Sequence, residues 1–209
     1  YMPGEKVVYD CCCGSGALSI QKWCANPKLK FICEELDEKV LPILLFNLCI
    51  RNIEATIVNR DILSGDIFHS YSTVKGAMYA SVQRPMFPET ELQKADVSVS
   101  NPPFNLKSSV SEDITKDLPL KYTCNFAFVA HCLQRGERCA LILPRGVLTS
   151  KEELECRKYL ISKGWLKAAI SLPEKMFEST SVATCILLLD KKNISKEVML
   201  VTVSYTHLT

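Results

Sequence analysis

Short apolar runs and longer segments with helical spacing alternate along this chain. Short apolar runs bounded by turn residues predict strands, and apolar residues three or four positions apart predict amphipathic helices. In chain order the pattern predicts a strand at 6–10, a helix at 17–25, a strand at 29–36, a helix at 37–53, strands at 55–61 and 95–100, a helix at 124–136, a strand at 138–144, a helix at 151–164, and strands at 166–173, 181–190 and 198–203.

Two segments lack a regular period. Residues 70–94 contain Pro85 and Pro88 and are predicted to form a loop or an irregular insertion, and 105–122 are predicted to form a polar loop. At the start of the second helix, Asp37 is expected to act as the cap.

This order of elements predicts the fold class. Strands that alternate with helices form βαβ units with right-handed crossovers, so the expected fold is α/β and Rossmann-like, with a mostly parallel sheet. Short polar stretches, rather than helices, separate the last strand-like runs, which predicts an antiparallel strand near the C-terminus.

Composition narrows the class of protein. A chain of 209 residues that is 47% hydrophobic is long enough for one compact domain, and its net charge of +2 does not indicate a general nucleic-acid or membrane-surface binder. No stretch reaches the roughly 18 to 20 apolar residues of a membrane helix. The eleven cysteines include no CxxC pair, so they are interpreted as reduced, mostly buried side chains of a cytoplasmic protein with no metal.

Both ends of the chain carry expectations of their own. The chain opens at Tyr1 and reaches its first strand within five residues, so an N-terminal element is expected to be missing. We predict one catalytic domain over 1–192, followed at 193–209 by a C-terminal strand and a suspect tail.

Unusual residues follow several of the predicted strands at their carboxyl ends, where ligands bind in such sheets. Asp10 precedes the loop Gly14-Ser15-Gly16, whose glycines let backbone amides approach a ligand closely; an acidic residue there suits the ammonium of an amino acid better than a pyrophosphate. Glu34 and Glu35 end the second strand, where a carboxylate accepts hydrogen bonds from ribose hydroxyls. Asp61 ends the third strand, where its carboxylate is expected to accept a hydrogen bond from an adenine amino group. Together the set predicts a pocket for S-adenosylmethionine, although a turn glycine or a helix cap would explain each residue alone.

The fourth strand runs directly into Asn101-Pro102-Pro103-Phe104. Two prolines fix the backbone and remove two amide donors, which leaves carbonyl groups to face a bound molecule. Asn101 adds a side-chain acceptor and Phe104 a flat apolar face. This set fits a planar molecule with an exocyclic amino group, such as adenine; the alternative is a rigid turn with Phe104 in the core.

The segments DCCCGSGALSI, FICEELD, NRDIL and NPPF occur in the order and spacing of the amino-group DNA methyltransferases. The region that follows resembles the second half of the N-6 adenine-specific DNA methylases, in particular the modification subunits of type I restriction-modification systems. The runs LPRGVL, LPEKMF and SVATCILLL make the likeness specific to that branch, and it covers roughly residues 4–192.

The resemblance implies a Rossmann-like, S-adenosylmethionine-dependent enzyme that methylates the N6 amino group of adenine in double-stranded DNA. It implies a separate DNA-specificity subunit and, where the system has one, a restriction subunit. This sequence departs from the family pattern in two ways. The helical region that family members carry before the first strand is expected to be missing, and Cys11-Cys12 stand in place of the usual Pro-Ala or Pro-Thr. The implied cofactor-binding residues are Asp10, Gly14, Ser15, Gly16, Glu35, Asp61 and Ile62, and the implied catalytic residues are Asn101, Pro102, Pro103 and Phe104.

Alternatives stay open on the sequence alone. Asn-Pro-Pro followed by an aromatic residue also occurs in guanine-N2 RNA methyltransferases and in glutamine methyltransferases, and a non-catalytic interaction subunit would keep the fold only. His131, on the apolar face of its helix, is interpreted as a core histidine. Lys107, Lys116 and Lys121 are interpreted as solvated lysines, and the role of Arg145 is left open.

Overall fold

The computed structural model describes residues 6–86, 93–112, 124–173 and 182–203. Helices of this part of the chain are α1 (Ala17–Ala25), α2 (Leu41–Cys49), α3 (Cys124–Arg135) and α4 (Leu154–Ser162), with a short 3₁₀ helix at Arg145–Leu148. Its strands are β1 (Val7–Asp10), β2 (Lys30–Glu35), β3 (Ala55–Arg60), β4 (Ile67–Val74), β5 (Ser81–Gln83), β6 (Val97–Ser100), β7 (Arg138–Pro144), β8 (Leu166–Ser171), β9 (Thr184–Asp190) and β10 (Met199–Thr202).

All of these strands belong to one sheet with the order β10-β8-β9-β7-β6-β1-β2-β3-β4-β5. Strands β7, β6, β1, β2 and β3 are parallel neighbours, and β10 is parallel to β8. Strand β9 runs antiparallel between β7 and β8. The predicted α/β sheet and its antiparallel C-terminal member are therefore confirmed.

The prediction of a loop or irregular insertion over 70–94 is wrong at 70–74 and 81–83, which are strands. Strands β4 and β5 form an antiparallel hairpin at the edge of the sheet next to β3. Many of their residues are polar or partly exposed, which hides the strand period, and backbone pairing rather than an apolar face holds them. One buried polar residue helps, because the Thr73 hydroxyl donates to the Ile53 carbonyl at 2.8 Å.

The second helix is shorter than predicted and Asp37 does not cap it. The Asp37 carboxylate accepts from the Lys39 backbone N–H at 2.9 Å and so closes a turn ahead of the helix. Regular α2 begins only at Leu41, directly before Pro42, because a proline is accommodated in the first helical turn but not further inside. Of the predicted loop at 105–122, residues 105–110 contain no helix or strand, and 113–122 lie outside the described residues.

Apolar side chains form one cluster on each face of the sheet. Val8 and Phe31 pack with α2 on one face, whereas their neighbours Tyr9 and Ile32 pack with α3 on the other. Successive strand residues point to opposite faces, so two adjacent apolar residues serve two different layers. The result is a three-layer arrangement that leaves the carboxyl ends of the parallel strands at one edge. Within the described ranges, no helix is long and apolar enough to cross a membrane.

One carboxylate lies inside the layer between the sheet and α3. Glu34 is 1% exposed, and its side chain accepts from the Tyr9 hydroxyl at 2.6 Å and from the His131 Nε2–H at 3.0 Å. The guanidinium group of Arg135 also bonds Glu34, and that of Arg60 lies 3.5 Å from it. The cluster joins β1, β2, β3 and α3 through a single side chain. His131 is a core histidine, as its position on the helix indicated.

The charges of neighbouring side chains decide the ionisation state of Glu34. Burial alone would raise the pKa of Glu34, but the hydrogen bond and charge of His131, together with Arg135 and Arg60, lower the pKa from 4.5 to about 2. The folded state therefore binds this proton more weakly than the unfolded chain. The stabilising effect of the ionised Glu34 side chain is therefore complete above pH 4.5 and is lost as the pH falls toward 2.

We expect Glu34→Gln to lower the free energy of unfolding by about 3 to 5 kcal/mol, because it leaves buried cations without their carboxylate. Urea unfolding at neutral pH measures this. The matched control is Glu54→Gln, which removes an exposed pair with Lys30 and should change stability by less than about 1 kcal/mol. The Glu34 contribution should also fall by about 2 kcal/mol between about pH 6 and about pH 3, a loss absent from Glu34→Gln. Equal effects of the two substitutions would contradict the assignment.

Candidate active site

Asp10 ends β1 and faces the end of β6. Its Oδ1 accepts from the Ser100 hydroxyl at 2.7 Å and from the Cys12 backbone N–H at 3.3 Å. Its Oδ2 is buried and has no hydrogen-bond partner in the described residues. Burial raises the pKa of Asp10 to about 7, against the opposing effect of the Ser100 hydrogen bond. Such a carboxyl group is half-neutral near pH 7 and gains strongly from a cationic neighbour.

The loop after Asp10 needs both of its glycines. Gly14 and Gly16 have φ angles of 54° and 89°, which favour glycine. A Cβ at Gly16 would lie 2.9 Å from the Leu44 side chain, so α2 packs directly against this loop. Ser15 is exposed between them, and its carbonyl accepts from the Asn47 amide at 3.0 Å.

Glu35 lies at the same edge, on the carboxyl end of β2. Its Oε2 accepts from the Gly14 backbone N–H at 2.8 Å, and its Oε1 accepts from the Asp37 backbone N–H at 2.8 Å. The buried Asn59 amide on β3 donates to the backbone carbonyl of Glu35 at 2.8 Å. The glycine loop and the second strand end are therefore held together by one carboxylate.

The third strand end contributes Asp61 and Ile62. Asp61 Oδ1 accepts from the Leu63 backbone N–H at 2.8 Å and caps the turn that follows β3. Ile62 is 5% exposed and belongs to the core cluster that contains Tyr9 and Ile32.

Asn101-Pro102-Pro103-Phe104 follows β6 directly after the Ser100 that bonds Asp10. Asn101 Oδ1 is buried and has no hydrogen-bond partner in the described part of the chain. Pro102 is buried, Pro103 is exposed and Phe104 is partly exposed. The loop therefore presents one acceptor oxygen inside the protein and one aromatic side chain near its surface.

The backbone turns sharply behind this loop. Asn105 has a φ of 53°, and its backbone N–H donates to Asn125 Oδ1 at 3.2 Å. The Asn125 amide donates to the buried Glu153 at 3.1 Å. Two helices, α3 and α4, thus position the residue that follows Phe104.

The structure brings the predicted residues to one edge of the sheet, on the neighbouring strands β6, β1, β2 and β3. The predicted set omitted Ser100, Asn59 and Asn125, which hold the others in place. The sequence contained a signal for Ser100, because this residue lies at a predicted strand end next to Asn101. Asn125 is distant in sequence and gives no local signal. Asp10 Oδ2, Asn59 Oδ1 and Asn101 Oδ1 are buried acceptor oxygens with no hydrogen-bond partner among the described residues, and those of Asp10 and Asn101 belong to the ends of the neighbouring strands β1 and β6.

The structure also tests the interpretation of the cysteines and of the lysines near the Asn-Pro-Pro-Phe loop. All eleven cysteines are free, and eight are buried. Burial raises the pKa of Cys139 and of Cys156 to about 12, so both remain neutral thiols. No group of three metal-ligating side chains occurs in the described ranges. Lys107 is exposed, and Lys116 and Lys121 lie in a segment that the structure does not describe.

The sheet order and the site at its carboxyl edge define the fold of S-adenosylmethionine-dependent methyltransferases. The methyltransferase subunit of a type I restriction-modification system from Streptococcus thermophilus superposes with a TM-score of 0.75 at 22% identity, covering 95% of this chain and 42% of that one. A profile of the family described as N-6 DNA Methylase matches residues 2–207. The chain belongs to this family.

Two relatives carry names from the same branch. The type I restriction enzyme MpnII methylase subunit of Mycoplasma pneumoniae is 28% identical over 91% of this chain and 36% of its own length. The MjaVIII methylase subunit of Methanocaldococcus jannaschii is 25% identical over 90% of this chain and 33% of its own length. The chain thus spans about a third of the length of these relatives.

We expect Asn125→Ala to lower the free energy of unfolding by about 1 to 3 kcal/mol, because it removes the acceptor of the Asn105 N–H and the donor to buried Glu153. Asn125→Asp keeps the acceptor but places a second carboxylate beside Glu153, so it should destabilise at least as much. Urea unfolding of the three proteins checks both. Stability equal to that of the unsubstituted protein would show that the loop is held in another way.

Proposed function

We propose that this chain is the catalytic part of an S-adenosylmethionine-dependent DNA methyltransferase that modifies the N6 amino group of adenine. The observation that carries the proposal is the buried Oδ1 of Asn101, which has no hydrogen-bond partner among the described residues and lies one residue from the Ser100 that bonds Asp10. An acceptor in that position suits a donor amino group beside the cofactor site. We place the catalytic region at residues 1–192.

The residues at the ends of β1, β2 and β3 fit S-adenosylmethionine. Asp10 Oδ2 is an acceptor for its amino group, and the backbone of Gly14 to Gly16 permits close approach. Each carboxylate oxygen has two acceptor positions, so Glu35 retains capacity for ribose hydroxyls beside its two backbone bonds. Asp61 and Ile62 are placed for the adenine ring, one as acceptor and one as apolar wall. The cofactor supplies an electrophilic methyl group on a sulfonium.

The Asn-Pro-Pro-Phe loop fits the target base. Asn101 Oδ1, with the carbonyl of Pro102, would accept both hydrogens of the adenine amino group and raise the electron density on its nitrogen. With S-adenosylmethionine bound, that nitrogen would form a bond to the methyl carbon as the carbon–sulfur bond breaks, S-adenosylhomocysteine would be the leaving group, and the nitrogen would lose its extra proton afterwards. Preorganised acceptors and alignment do this without prior deprotonation. Phe104 would stack on the base, which must leave the duplex to reach this site.

The partners follow from the relatives and from the charge. The named relatives are subunits of type I restriction enzymes, and a net charge of +2 supplies little general attraction for DNA. We propose double-stranded DNA as substrate, with sequence reading by a separate specificity subunit and, where one exists, a restriction subunit beside it. We place the enzyme in the cytoplasm, where its free cysteines would stay reduced.

The test uses methyl-labelled S-adenosylmethionine with unmethylated DNA, RNA and a release-factor protein as parallel acceptors. Mass spectrometry of the digested acceptors should find the label in N6-methyladenine from DNA. Asn101→Ala should lower this transfer at least about 100-fold, since it removes an acceptor aimed at the reacting amino group, while cofactor affinity stays nearly unchanged. Label in guanine or glutamine would assign the protein to another methyltransferase class, and loss of folding in Asn101→Ala would favour a rigid-turn role.

Binding of S-adenosylmethionine should depend on the ionisation of Asp10. Because the pKa of Asp10 is raised to about 7, the carboxyl group becomes anionic as pH rises through that value, and a cationic ligand then binds it better. Affinity should increase about tenfold between about pH 6 and about pH 8, as measured by calorimetry. Asp10→Asn should bind weakly and lack this rise. The same pH dependence in Asp10→Asn would exclude this carboxyl group as its origin.

A further inference from the structure

A cavity of about 580 Å³ opens beside the Asn-Pro-Pro-Phe loop. It lies where β7 and β8 end and β9 begins, so it shares the sheet edge of the candidate active site. Its polar lining residues are Asn105, Arg145, Thr149 and Ser171. None of these residues belongs to the cofactor or target-base site described above.

Chain connectivity and strand order fix the position of this cavity relative to the Asn-Pro-Pro-Phe loop. Asn105 follows Phe104 directly and forms one wall of the cavity. Strand β7 is the immediate neighbour of β6, and neighbouring strands lie about 4.8 Å apart. A polynucleotide whose base enters at Asn101 and whose backbone extends toward β7 and β9 would pass above this cavity.

The lining has the chemistry of nucleotide backbone recognition. Arg145 lines the cavity at the carboxyl end of β7, and its backbone N–H donates to the Ala183 carbonyl at 2.7 Å, which anchors its position. A guanidinium group binds a phosphate through two parallel hydrogen bonds. Hydroxyl and amide side chains such as Thr149, Ser171 and Asn105 are common contacts to phosphate and sugar oxygens.

A cavity of about 640 Å³ at the opposite edge also contains cations, together with the acidic residues Asp96, Glu137 and Asp190. Lys192 pairs with Glu137 at 2.5 Å, and Lys94 donates to the Gln134 carbonyl at 2.7 Å. That edge also lies at the amino ends of β6 and β7, away from Asn101. A polynucleotide whose base enters at Asn101 would not pass over that edge.

We propose that the Arg145 cavity binds the nucleotide next to the target adenine, with Arg145 on its phosphate and Thr149 and Ser171 on its phosphate or sugar oxygens. The proposal rests on the proposed function, since it assumes a polynucleotide that enters at Asn101. It gives a chain with little net charge a local contact to DNA that holds the target in register.

The experiment measures binding of a fluorescent single-stranded oligonucleotide with one adenine by anisotropy at several salt concentrations. Arg145→Ala should weaken binding about tenfold, and the slope of log K against log salt should become shallower by about 0.7, the value for one phosphate contact on a single strand. The matched control is Lys167→Ala, which removes the same charge near the start of β8, where Lys167 lies 3.9 Å from Asp190. It should leave the slope unchanged.

A second oligonucleotide carries a neutral methylphosphonate in place of the phosphate next to the adenine. Measured with both proteins, it completes a double-substitution cycle between Arg145 and that phosphate. The unsubstituted protein should lose about tenfold in affinity for this oligonucleotide, whereas Arg145→Ala should bind both oligonucleotides equally, and Arg145→Lys should recover part of the loss. Circular dichroism confirms folding of each variant.

The outcomes separate the two proposals. Equal slopes for Arg145→Ala and Lys167→Ala, or additive effects of the substitution and the neutral linkage, would overturn the Arg145 site while leaving adenine methylation intact. An Arg145 effect on binding without any methylation of adenine would support the site and overturn the proposed function. No binding of the oligonucleotide by the unsubstituted protein would overturn the site as well.

Discussion

The buried carboxylate of Glu34 is the interaction on which the rest of the site depends. It lies between the sheet and α3 and collects the Tyr9 hydroxyl and the His131 ring. The guanidinium groups of Arg135 and Arg60 complete its surroundings. An ion at this depth is tolerated only with its partners in place, because an unpaired buried charge is very costly. The relative positions of β1, β2, β3 and α3 are therefore closely constrained, and three of these elements end at the candidate cofactor site.

A second link joins the two halves of the site. The Ser100 hydroxyl donates to Asp10 at 2.7 Å and accepts from the Cys12 N–H at 3.2 Å, while the next residue is Asn101. The proposed cofactor acceptor and the proposed target acceptor are thus separated by one hydrogen bond and one peptide unit. A transfer between two bound molecules requires this fixed alignment, since much of its rate comes from orientation.

The same sheet edge divides into three consecutive regions. The ends of β3, β2 and β1 form the proposed cofactor side, the loop after β6 forms the target side, and the ends of β7 and β8 with the start of β9 enclose the Arg145 cavity. The antiparallel insertion of β9 matters for this order, because it brings the start of that strand, rather than its end, to the edge. Under the proposed function, a nearly neutral chain would contact a polyanion through a local cation, and a separate subunit would supply most of the attraction.

The sequence by itself determined the alternation of strands and helices, the glycine loop and the Asn-Pro-Pro-Phe turn, because these depend on local period and on the backbone preferences of glycine and proline. It did not reveal the β4–β5 hairpin, whose polar residues are held by strand pairing rather than by an apolar face.

The family resemblance implied Glu35 rather than Glu34 as a site residue, but only the tertiary structure gave the physical reason, because the two residues are adjacent and chemically alike. The alternation of side chains along β2 directs Glu34 into the core and Glu35 to the site, and which face is the core depends on where α3 packs. The contacts of Asn125 and the position of Arg145 beside the cavity were likewise decided by the fold, since contacts between residues distant in sequence exist only once the sheet order is set.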